Sequence, residues 1–379
     1  MFIEVSTDVV NKSLDSSDVD RDVAIETLRE LSLAVRRNHH LVFIPYLSVD
    51  IINKMSAFLN KNELVSLKFC YKKRRDLYEL RNSIQLKCVV SFLEKTRCAD
   101  NVIYLNPKQV DCFEFNEESH LLTENILDSE FYAIMAKVYQ KNNRIDSGIF
   151  KTHFFPVQGG GATIKDVYLL ECRLGEHFCL CIIDSDKKWP NCKRVGQTAQ
   201  EFETATKKWN EERGMPVFSD YYIMRNTSEI ENLIPHSVLK HFSSLQQQSF
   251  ITNHHEDLLW LDIKKGLEYK ILYNVEAYDE WKTAIPNEVP WNDIDQIKMA
   301  SADEKDYKQK VVEANLPVII NPWGGRILEK VLHPDSRHVG KYNLFETDLT
   351  TLTTGQRAEW LTIGSLIFNW CCCFTNKIF

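Results

Sequence analysis

Phe178-Cys179-Leu180-Cys181-Ile182-Ile183-Asp184-Ser185-Asp186 is the stretch that decides the fold. Its first part is wholly apolar, the pattern of a strand covered by helices on both faces of a parallel sheet. It then ends abruptly in acid. Open α/β sheets bind ligands beyond the carboxyl ends of their strands, so Asp184 and Asp186 stand where chemistry is expected. On an extended segment, side chains two apart project to the same side, which predicts that these two carboxylates reach one ion.

The sequence on either side of this stretch continues the alternation. Upstream, Ser119 to Thr123 reads as a short strand running into Glu124-Asn125-Ile126-Leu127-Asp128. Leu127, Phe131, Ile134, Met135 and Val138 then mark one face of a helix. Thr152 to Val157 reads as the next strand, followed by Gly159-Gly160-Gly161 and a helical pattern over 164–174. The three glycines sit between strand and helix, where backbone N–H groups can approach a phosphate. Downstream, a helix is expected over 198–213 and a fourth strand from Tyr221 to Met224. The polar stretch Ser228-Glu229-Ile230-Glu231-Asn232 comes next.

Carboxylates at the ends of neighbouring strands repel one another, and a shared cation is the economical way to hold them together. Oxygen ligands of this kind select magnesium or manganese. Glu124, Asp184 and Asp186 are the expected ligands of one ion, and Glu229 or Glu231 of a second. Two such ions can activate a water and stabilise a leaving oxygen in phosphoryl transfer. Lys187 and Lys188 follow the acidic pair, and either can steady a scissile phosphate.

Leu121 to Asp128, taken with Ile182 to Asp186, resembles the Toprim pattern of topoisomerases, primases and the overcoming-lysogenization-defect nucleases. Arg225 to Asn232 is similar to the segment that follows the fourth strand in the last of these. The resemblance spans 119–235. It implies a parallel sheet flanked by helices, with Glu124, Asp184 and Asp186 as metal ligands and Glu124 also as general acid or base. Asp128 matches the family's further acidic position, where it either reinforces the metal site or favours the helix N-terminus. The resemblance also implies an antiviral-defence effector of bacterial or phage-defence type, restrained by a partner. No Walker A motif is present, so an ATPase subunit would be a separate protein. One departure is Asn125, where the family has glycine; asparagine is the non-glycine residue that best tolerates a left-handed backbone.

The flanking regions are less telling. Residues 1–115 read as an N-terminal α/β domain, with strands at Phe2-Ile3-Glu4-Val5 and Leu41 to Ile44 and helices around Val23 to Val35 and Ile51 to Leu59. The order fits a degenerate PIN-like domain, whose acidic set would be Glu4, Asp8 and Asp50. Residues 116–245 form the Toprim-like catalytic domain. Residues 246–379 read as a mostly helical C-terminal region. There Lys264 and Lys265 precede a glycine and can contact phosphate, and Trp360 to Trp370 docks on the core or on a partner, ahead of three cysteines expected to be buried.

Composition narrows the class. The chain has 379 residues, 44% hydrophobic and 26% charged, which suits two or three soluble domains. With 46 basic and 53 acidic residues the formal charge is -7, so nucleic-acid contact must be local or metal-bridged. The 11 cysteines form no CxxC pair and the histidines no HxxxH pair, which argues against a structural zinc site and for reduced thiols. The opening residues lack the basic and long apolar regions of an export signal, and no run is long enough to span a bilayer. A cytoplasmic protein without membrane association is expected, and oligomers are compatible with it. The reading that results is a magnesium- or manganese-dependent nuclease acting on DNA or RNA. Its rivals are a primase-like phosphoryl transferase and a non-catalytic nucleic-acid or partner-binding module with a relic site.

Overall fold

The computed structural model describes residues 1–110, 113–190, 192, 195–268, 272–273, 275–287, 289–314, 316 and 318–375. The chain is α/β, with mixed parallel sheets flanked by helices. It divides into two compact units that interleave along the sequence. The first comprises Met1–Ile182, Phe202–Tyr222 and Thr362–Phe379, and the second Ile183–Glu201 and Ile223–Leu361. The positions 115 and 245 therefore each fall inside a unit.

The first unit carries the sheets. Strands β1 (Phe2–Val5), β2 (Leu41–Phe43), β3 (Lys87–Val90), β4 (Arg97–Ala99) and β5 (Val102–Leu105) are ordered β2-β1-β3-β5-β4. All neighbours are parallel except β4 against β5. Helices Arg21–Arg37 and Lys61–Lys72 bury apolar faces, the first through Leu28, Leu31 and Val35 at helical spacing. The acidic residues of the PIN-like reading have structural partners here. Glu4 receives Arg81 through two contacts of 2.9 Å and Lys87 at 2.8 Å. Burial alone would raise the Glu4 carboxyl, but these two cations hold it below its ordinary value. Asp8 accepts the Phe92 N–H at 2.6 Å.

The second sheet contains β6 (His120–Thr123), β8 (Phe155–Gln158), β9 (Cys179–Ile183) and β10 (Ser219–Ile223), ordered β10-β9-β6-β8. Strand β6 is parallel to both β8 and β9. All five residues of β9 are buried, as its apolar run requires. The single strand expected over 152–157 is instead two. β7 (Phe150–Thr152) pairs antiparallel with β11 (Cys372–Phe374), while β8 lies at the edge of the larger sheet. Pro156 explains the edge position, because a residue without an N–H leaves a gap in any ladder it enters from inside. Cys371, Cys372 and Cys373 are fully buried, as expected of adjacent thiols at the end of an apolar helix.

The second unit is mainly helical, with helices Leu245–Asn253, Trp291–Ala300, Glu304–Glu313 and Ile327–Leu332. Trp260, Trp281, Trp291 and Trp323 are all buried. Among the described residues, no helix is long and apolar enough to cross a membrane.

Candidate functional site

The expected ligands are distributed over both units. In the first, Glu124 follows β6 and is half-buried. Burial, with the Glu124 charge second, holds the Cys181 thiol on β9 well above its ordinary range. Asn125 is not left-handed; its φ of -128° and ψ of 150° are extended. Its side chain accepts the Leu127 N–H, while Asp128 accepts the Asn125 N–H at 2.8 Å, and together they form a capping box on helix Ile126–Asn142. The position therefore needs no glycine. Of the two roles open to Asp128, the geometry displays the helix-terminal one.

The glycine run also has a local explanation. Gly159 and Gly160 donate their N–H groups to the carbonyls of Thr123 and Glu124, at 2.7 and 3.1 Å. Those two donors are thus engaged at the end of β6 and do not point toward a phosphate. A methyl group on Gly159 would meet Ile164 at 2.4 Å, so close packing fixes the residue.

In the second unit, the chain leaves β9 at Asp184. Ser185 is fully buried and donates its hydroxyl to Thr227 O at 2.7 Å. Asp186 donates its N–H to Ser228 O at 2.8 Å. Asp186 adopts φ 51°, so the extended backbone ends before it and the period-two argument for a shared face does not extend across the pair. Gly196 lies beside it, and a Cβ there would come within 2.2 Å of Asp186 Cβ. Asp184 and Asp186 are both half-buried. Lys187 is half-buried and donates its N–H to Ser185 Oγ at 3.3 Å.

Glu229 caps a 3₁₀ turn over Ile230–Leu233, held by a dense set of bonds. Ile230 N–H reaches Asp184 Oδ1 at 3.1 Å. Asn232 donates to the carbonyls of Leu258 and Leu261, at 2.7 and 2.8 Å. Gln356 donates to Asn232 O and Ile234 O, and Trp360 to Leu233 O, all at 2.9 Å. Glu359, fully buried, accepts the N–H groups of Arg225 and Asn226 at 2.6 Å. These contacts fix two glutamates that are themselves buried, Glu229 at 4% and Glu231 at 6% exposure.

Lys264 joins them. Its Nζ lies 2.9 Å from Glu229 Oε2 and 3.3 Å from Glu231 Oε2. It compensates charge there. Burial opposes the ammonium, yet Glu231, Glu229 and Asp184 together keep it well above its ordinary value. For Glu229, burial dominates; with Asp262 and Glu231 nearby it overcomes Lys264 and pushes the carboxyl up to about 7. Two buried carboxylates therefore flank one cation, with Asp184 adding a weaker field, and among the described residues the ligand atoms of Asp184, Glu229 and Glu231 are not grouped within 4.8 Å of one another.

A cavity of about 490 Å³ opens beside this cluster. Lys188, Lys264, Lys265 and Lys308 line it together with Trp260 and Trp281. Lys188 rather than Lys187 is the lysine of the acidic loop that faces it. Gly266 shapes the wall: it has φ 72°, and a Cβ would meet Ile320 O at 2.2 Å.

The chain matches no family model, no curated protein and no solved structure. The resemblance to Toprim proteins rests on the quoted residues alone. Among the described residues, the group of three or more potential metal ligands whose ligand atoms lie within 4.8 Å of one another is His39, Glu118 and His153. Sequence reading passed over His39 and Glu118, and no local spacing could have revealed them.

Proposed function

We propose that the second unit holds a divalent-metal site that hydrolyses phosphodiester bonds in nucleic acid. Glu229, Glu231 and Asp184 would be its oxygen ligands, drawn together by the ion, since their ligand atoms are not grouped within 4.8 Å of one another. The observation that carries the reading is the charge balance of the buried cluster: two buried carboxylates face one ammonium, and burial pushes the Glu229 carboxyl up to about 7. A magnesium or manganese ion would supply the missing positive charge and, with it, a metal-bound water for attack on phosphorus. The adjoining cavity offers a phosphate Lys188, while its tryptophans are buried and its other lysines lie against carboxylates.

A second reading is favoured by Lys264. Because the ammonium already stands between Glu229 and Glu231, the same cavity could bind nucleic acid with no metal and no turnover, as a relic site. Cleavage separates the two. Purified protein in excess over single-stranded DNA, duplex DNA and transfer RNA is incubated with magnesium, manganese or EDTA, beside Asp184→Asn. Metal-dependent strand scission lost in the variant supports hydrolysis. Tight binding of the same substrates with no scission in any metal supports the relic.

A further inference from the structure

We infer that His39, Glu118 and His153 form a zinc site in the first unit, separate from the carboxylate cluster and independent of the reading given to it. The three residues come from distant parts of the chain. His39 follows helix Arg21–Arg37, Glu118 precedes β6, and His153 lies between β7 and β8. Each of two imidazoles turns its Nε2 toward a different oxygen of one carboxylate: His39 at 3.6 Å from Oε1 and His153 at 3.4 Å from Oε2. Nitrogen and oxygen ligands held tetrahedrally at the usual zinc distances sit about 3.3–3.5 Å apart, close to both separations. The His39 distance is beyond hydrogen-bond range.

The tautomer of His39 strengthens the case. Its Nδ1 lies 2.6 Å from the carbonyl of Asn116, so this nitrogen carries the hydrogen and donates it. In the neutral ring Nε2 then presents a lone pair toward a carboxylate oxygen, an arrangement that calls for a cation between them. Imidazole ligands of zinc commonly donate their other N–H to a carbonyl or carboxylate in this way. Asn116 is itself fixed, since Arg37 donates to its Oδ1 at 2.6 Å and its amide reaches Glu30. His153 is held through its backbone N–H, which donates to Cys371 O at 2.9 Å. The His39 side chain is 10% exposed and that of His153 41%, so a fourth coordination position opens toward solvent for water. Two nitrogens and one oxygen favour zinc over magnesium.

The test is titration of the metal-stripped chain with zinc against a chromophoric chelator, alongside the visible spectrum of the cobalt-substituted form. Wild type is expected to take up one zinc per chain at this site and to give the intense absorption of tetrahedral cobalt. His39→Gln and His153→Gln should each weaken binding by on the order of 100-fold or more, since even outer-shell changes cost 10–100-fold. Asp184→Asn should leave the tetrahedral cobalt spectrum unchanged, which separates this site from the other. His153→Gln is the decisive variant because its partly exposed position makes misfolding an unconvincing excuse, and its thermal unfolding in EDTA should match wild type. Undiminished zinc affinity in that variant would overturn the assignment, as would no stoichiometric uptake by wild type.

Discussion

Glu229 shows how a single carboxyl reports on its surroundings. It is buried beside Glu231 and Asp262, and Lys264 offsets only part of their effect, so its folded pKa rises to about 7 from an ordinary 4.5. The folded state therefore binds a proton that the unfolded chain has already released between those values. Stability from this group is full below about 4.5 and is lost as pH rises through about 7. In EDTA, the melting temperature of wild type should fall between about pH 4.5 and 7, and Glu229→Gln should flatten that fall. Thermal scans across the window check it; an unchanged slope in the variant would show that Glu229 is not the group responsible. Little of this could be seen in the sequence. Glu229 and Glu231 were marked by their acidity, but Lys264 meets them only through folding, and a local reading could say no more than that the lysine lies near a glycine. The left-handed φ of Asp186 was equally hidden, because nothing in Asp-Ser-Asp says where a strand ends.

Whole elements were more legible than the geometry at their ends. The apolar run into Asp184 gave a fully buried strand, and the helical spacing from Leu127 to Val138 gave the helix Ile126–Asn142. The strand expected over 152–157 failed at His153-Phe154, where the chain leaves one sheet for another, a change of partner that no local period encodes. Asn125 is the instructive case. Read as a substitute for glycine in a left-handed turn, it instead caps the helix from extended backbone. Asn125→Ala should therefore destabilise the protein by about 1 kcal/mol, and Asn125→Gly by only a few tenths. Urea denaturation measures both, and a stabilising Asn125→Gly would restore the left-handed turn as the better description.

At the level of the molecule, a chain of formal charge -7 lines one cavity of its second unit with four lysines, Lys188, Lys264, Lys265 and Lys308, and three acids, Asp262, Glu268 and Glu304. Lys265 pairs with Asp262 and Lys308 with Glu304, so any nucleic-acid contact there is local, as the overall charge balance suggests. The interleaving of the two units was not legible, because it depends on which segments return to each core. Calorimetric titration of manganese into the metal-free protein, carried out on wild type and Asp184→Asn, tests the central claim most directly. Wild type should bind manganese with release of protons near pH 7, as Glu229 ionises toward the ion, and the variant should lose that binding. Equal affinity in the two proteins, or no proton release, would contradict a metal held by these carboxylates.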